Sequence, residues 1–92
     1  SLLSLHRDYR ERASGAGRSS NLLTIVDHLF GSQVVSIPKL SEMLNVTYRA
    51  AQLNVETLVK LGILSEIEKT SNPKFYIAGE IRDVINRSIL HA

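Results

Sequence analysis

Cysteine is absent from this 92-residue chain. Disulfide bonds and thiolate metal sites are therefore excluded, and the fold must hold by apolar burial without covalent staples. The same absence suits a reducing compartment, so a cytoplasmic location is expected. Long hydrophobic runs are missing too, and stretches of a few apolar residues are too short to span a membrane. Ser1 to Arg12 is broken by Arg7, Asp8, Arg10, Glu11 and Arg12 and does not read as a signal peptide. The chain starts at Ser1 and its only methionine, Met43, lies in mid-pattern, which predicts that it is a piece of a longer protein.

A strong excess of one charge is also lacking. The formal net charge is +2, and Arg7, Arg10, Arg12 and Arg18 against Asp8 and Glu11 account for all of it, because acidic and basic residues balance from residue 21 onward. A neutral body weakens a nucleic-acid reading of everything beyond the N-terminal arm.

What is present is ordinary globular material, 43% hydrophobic and 22% charged, enough for one domain with one core. Leu2, Leu5 and Tyr9 recur at helical spacing and predict a short amphipathic helix over Ser1 to Arg12, followed by a turn-rich linker from Ser14 to Ser20. Leu22, Leu23, Ile25, Val26, Leu29 and Phe30 form the stripe of a first core helix that Gly31 ends, with Ser19 or Ser20 as its cap. Val34 and Val35 suit a very short strand. Ser36 then caps a helix with Pro38 in its first turn and Ile37, Leu40, Met43 and Leu44 on its apolar face.

Asn45 suits a left-handed helix end, Val46 packs back on the core, and Thr47 caps the next helix. That helix runs from about Tyr48 to Leu61, turns Ala51, Val55, Leu58 and Val59 inward, and stops at Gly62. Ile63, Leu64 and Ile67 predict one strand, Thr70 to Pro73 a turn, and Phe75 to Ile77 the return strand. A closing helix opens at Glu80 with the stripe Ile81, Val84, Ile85, Ile89 and Leu90. The order predicts a mainly α fold with a small β-hairpin, a winged helix-turn-helix made of a three-helix core, a wing and a closing helix. Residues 1–18 are expected to be a connecting helix and linker, and residues 19–92 the winged helix domain.

Catalytic patterns are not found. His6, His28 and His91 have no ligand spacing, no glycine-rich loop opens a helix, and no nucleophile elbow occurs, so no metal, cofactor or catalytic residue is expected. The informative surface is the outer face of the second helix of the unit, with Tyr48, Arg49, Gln52, Leu53, Glu56 and Lys60. If the domain reads double-stranded DNA, Arg49 and Gln52 suit bidentate contacts to guanine and adenine. Lys39, Thr47 and Tyr48 would then hold phosphates, with Lys69 and Lys74 reaching from the wing. The protein-contact alternative rests on Leu53 and Tyr48, with Arg7 and Arg10 of the arm, since exposed apolar side chains beside few charges suit a protein partner equally well.

The stretch from Leu22 to Phe30, then VVSIPKLSEMLNVTYRAAQLNVETLVKLGIL from Val34 to Leu64, and FYIAGEIRDVIN from Phe75 to Asn86 resemble the C-terminal winged helix domain of bacterial Fic proteins. SLLSLHRDYRERA at the start looks like the helix that joins this domain to the catalytic one. The resemblance implies an accessory or regulatory module of an AMP transferase whose catalytic domain lies upstream and is itself a partner. His28, Leu29 and Phe30 imitate the first letters of that family's catalytic motif, but Gly31, Ser32 and Gln33 supply neither its anion loop nor its arginine. Two functions from different classes follow: DNA binding through Arg49 and Gln52, or a protein interaction module that packs on the catalytic domain or forms a homodimer. The helix phase carries a prediction of its own. Leu53→Asp should leave the unfolding midpoint within about 0.5 kcal/mol of wild type, and a loss of several kcal/mol would place residue 53 in the core.

Overall fold

A computed structural model describes residues 1–16, 20–67 and 74–90. Five helices and three short strands follow in the order α1 (Leu2–Ala16), α2 (Ser20–Leu29), β1 (Val34–Ser36), α3 (Ile37–Leu44), α4 (Tyr48–Lys60), β2 (Ser65–Glu66), β3 (Phe75–Ile77) and α5 (Gly79–Leu90). The strands form one antiparallel sheet in the order β1-β3-β2, with Val35 opposite Tyr76 and Glu66 opposite Tyr76 on its other side. The fold is mainly helical with a small sheet, and its element order is that of a winged helix.

Local chemistry sets the helix-turn-helix. The Ser36 hydroxyl accepts a hydrogen bond from the Lys39 amide at 3.4 Å and caps α3, and Pro38 sits in the first turn, where no intrahelical donor is needed. At the other end Asn45 adopts a left-handed conformation, φ 55° and ψ 48°. The Asn45 amide then donates to the Glu42 carbonyl and the Val46 amide to the Ser41 carbonyl, the paired bonds of a Schellman motif. The Ser41 hydroxyl donates to the Val46 carbonyl at 2.7 Å and closes the turn. Thr47 follows as the cap of α4, accepting from the Ala50 amide at 3.1 Å.

α4 ends the same way. Gly62 takes φ 77°, its amide donates to the Val59 carbonyl, and the Ile63 amide donates to the Leu58 carbonyl. Ile63 and Leu64 are thereby folded into the core directly after the helix, and the strand begins only at Ser65. This corrects the expected strand over Ile63, Leu64 and Ile67: Ile67 lies just beyond β2, where its amide donates to the Phe75 carbonyl at 2.9 Å. The expected turn Thr70–Pro73 lies outside the described residues.

Leu22, Ile25, Val26 and Leu29 of α2 meet Ile37 and Leu40 of α3, Ala51, Val55 and Leu58 of α4, and Ile81 of α5 in one core. Each such Val, Leu or Ile contributes roughly 1.5–3 kcal/mol by leaving water. Periodicity places three apolar residues less well. Met43 is 39% exposed, since α3 buries only Ile37 and Leu40, and Val59 is 40% exposed near the end of α4. Ile89 is 69% exposed, because the core covers α5 at Ile81 and only partly at Ile85.

α1, expected only as a connecting helix, also packs into the body. It continues to Ala16, into the first residues of the expected linker, because Ala13 is buried and keeps the last turn against the body; residues 17–19 of that linker lie outside the described residues. Tyr9 is fully buried in the same core, stacks edge-on against Phe30 at 6.1 Å, and donates its hydroxyl proton to Glu80 of α5 at 2.7 Å. Burial and the Glu80 carboxylate push the Tyr9 pKa well above the ordinary phenol value, so the hydroxyl remains a donor. On the flank, Asp27 of α2 receives Arg10 on both oxygens at 2.8 and 2.7 Å and His6 at 2.7 Å. Arg12 pairs with Asp8 at 2.7 Å within α1 and donates to the Leu61 carbonyl at the end of α4.

Two predictions follow. Asn45→Ala should cost about 1–2 kcal/mol in urea unfolding, because a Cβ disfavours the left-handed turn, whereas Asn45→Gly should hold stability near wild type. The Arg10 guanidinium beside Asp27, with His6, holds the Asp27 carboxyl below the ordinary aspartate value. Its stabilisation is complete above a pKa of about 3.9 and is lost as pH falls through the lower folded value. Asp27→Asn should therefore be less stable than wild type at neutral pH, and thermal melts should show the two converging below about pH 4.

Candidate nucleic-acid interface

The outer face of α4 is built by the same periodicity that buries its inner one. With Ala51, Val55 and Leu58 fully buried, the remaining positions turn Arg49, Leu53, Glu56 and Lys60 to solvent, and Gln52 is half-buried beside them. Leu53 is 47% and Tyr48 54% exposed, large values for apolar side chains on a packed helix. Arg49 donates from Nη1 to the Gln52 Oε1 at 3.0 Å, so the two side chains expected to read bases lie together on the first turns of α4. Thr47 is engaged as the cap, which leaves its exposed residue at the mouth of the same helix end.

The wing lies beside this face. Tyr76 of β3 is half-buried, and its hydroxyl is pushed above the ordinary phenol pKa by burial first and by Glu66 next. Lys74, Tyr48 and Glu56 act on the same hydroxyl, so the flank of α4 and the base of the hairpin share one electrostatic environment. Phe75 is 39% exposed on the opposite face of the strand. Lys74 is exposed and paired with Glu66 at 3.7 Å, which offsets its charge. Lys69 lies outside the described residues.

The other candidates are dispersed. Lys39 is exposed on α3, where it lines an open cleft of about 360 Å³ with His28, Glu42 and Met43. Arg10 is committed to Asp27, and Arg7 is exposed on α1. Among the described residues no cluster of three or more histidine or acidic side chains is placed to hold a metal ion, and no helix is long and apolar enough to cross a membrane.

Sequence reasoning did not single out Asp27, Glu80 or Tyr76. Asp27 interrupts the apolar α2 stripe only on its solvent side, and its partners are 17 and 21 residues away. Tyr9 carried a usable signal, since a tyrosine on a buried stripe needs a partner for its hydroxyl. No protein-family model matches the chain, and no curated protein matches it either.

Proposed function

We propose that this chain is a non-catalytic winged helix accessory domain of the Fic type, acting in the cytoplasm, that binds double-stranded DNA through α4. The observation that carries the reading is the Arg49–Gln52 pair, an exposed arginine bonded to a half-buried glutamine on the first turns of a capped helix beside the wing. A helix of that kind enters the major groove with its N-terminal residues against base edges, and Arg and Gln are the side chains that make two-point contacts to guanine and adenine. The hydrogen bond between them limits their rotamers before binding, which lowers the entropic cost of ordering both. Thr47, Tyr48, Lys39 and Lys74 are the phosphate contacts in this reading. α1 joins the domain to a Fic catalytic domain upstream, as the resemblance of its sequence implies.

A second reading is a protein interaction module that uses the same face. Tyr48 and Leu53 are exposed there, and Glu56 and Glu66 stand among the basic residues. Such a surface, apolar with mixed charges, suits a protein contact.

Fluorescence anisotropy against random duplex DNA and against the promoter of its own operon, at two salt concentrations, tests the first reading. Salt-sensitive, promoter-selective binding should be seen, and Arg49→Ala with Gln52→Ala should abolish the selectivity. Absence of binding at about 100 µM protein in low salt would show that this domain is not a DNA reader.

A further inference from the structure

The outer face of α4 is self-complementary. Arg49, Leu53, Glu56 and Lys60 are separated by four, three and four residues and are all exposed. At 100° per residue they fall within about 60° of arc, one straight stripe along the helix. Leu53 has a basic residue about 6 Å toward the N-terminus and an acidic one about 4.5 Å toward the C-terminus, given the rise of 1.5 Å per residue.

We infer that a second copy of this chain docks on that stripe, α4 against α4 and antiparallel about a two-fold axis through Leu53. An isologous contact requires the same patch to complement itself. The axis sets Leu53 against Leu53 of the second copy. It also brings each Arg49 to within about 1.5 Å, along the helix, of the level of Glu56 of the other copy. One turn on either side of the apolar centre thus carries an opposite-charge pair, formed twice by symmetry. Lys60 falls beyond the first turn of the other α4 and stays in solvent. A parallel arrangement would set Arg49 against Arg49 and Glu56 against Glu56, so the charge order itself selects the antiparallel one.

This goes beyond the DNA reading, and the two occupants exclude each other, because the dimer covers Arg49 and Gln52. Self-association then sets how much of the α4 face is free. One leucine pair and two solvent-rimmed ion pairs make a weak contact, formed at high local concentration.

Sedimentation equilibrium of the chain alone, without nucleic acid, at up to about 1 mM tests it. A reversible monomer–dimer equilibrium is expected, with Leu53→Asp monomeric throughout. Arg49→Glu and Glu56→Arg alone should each weaken the dimer about tenfold, and the double reversal should restore it. Unfolding midpoints of the four variants should stay near wild type, which separates lost contact from lost fold. A chain that stays monomeric, a dimer indifferent to Leu53→Asp, or single reversals that the double variant does not rescue would each overturn the inference. A monomer that still binds DNA defeats this inference alone, and a dimer that ignores DNA defeats only the DNA reading.

Discussion

The direction in which α4 leaves α3 depends on one backbone conformation, the left-handed turn at Asn45. Continuing α3 in right-handed geometry would carry the chain past the core. Reversing the sign of φ at a single residue folds Val46 back onto the core and lets Thr47 begin a new helix. The amides of Asn45 and Val46 satisfy two carbonyls that the end of α3 would otherwise leave open. Gly62 repeats the device at the far end of α4 and drops Ile63 and Leu64 into the interior. α4 is thus fixed at both ends by hydrogen bonds local to its own turns. Its inner face follows from that, and so does the outward placement of Arg49, Gln52 and Leu53.

α1 is held by a different balance of forces. Its apolar contribution is Tyr9 and Ala13, both buried, with Leu2 and Leu5 packed at the edge of the core. Around them is a ring of polar contacts to three other helices: Asp27 on α2, the Leu61 carbonyl after α4, and Glu80 on α5. Exposed ion pairs are each worth little, about 0–1 kcal/mol, so the Asp27 contacts orient α1 more than they stabilise it. The Tyr9 hydroxyl matters in another way. Without Glu80, a fully buried hydroxyl would be left without an acceptor, at a cost of about 1–3 kcal/mol.

Much of this was legible in the sequence because it is local. Ser36, Thr47, Asn45 and Gly62 act on backbone groups within five residues of themselves, and their residue types carry the reason. The outer face of α4 followed from the phase of Ala51, Val55 and Leu58, so the positions of Tyr48, Arg49, Gln52 and Leu53 were readable too. What periodicity does not contain is whether a neighbour exists to cover a stripe. Met43, Val59 and Ile89 continue their stripes in sequence, but the body ends before it reaches them. Distant pairings were equally out of reach. The place of β1 beside β3, and the choice of Asp27 as the partner of His6 and Arg10, depend on segments that meet only in the folded chain.

The first and last helices lie side by side in opposite directions. Tyr9 meets Glu80, while Ser1, Ser4 and Leu5 share a groove with Val84 and Arg87. The beginning of α1 and the final turns of α5 therefore emerge at one corner of the molecule. Connectivity and packing are separable in such an arrangement. A short bridge from α5 to α1, with a new opening cut in a surface loop, would reorder the sequence as a circular permutant and keep the helix-turn-helix, the wing and the Tyr9–Glu80 contact in place.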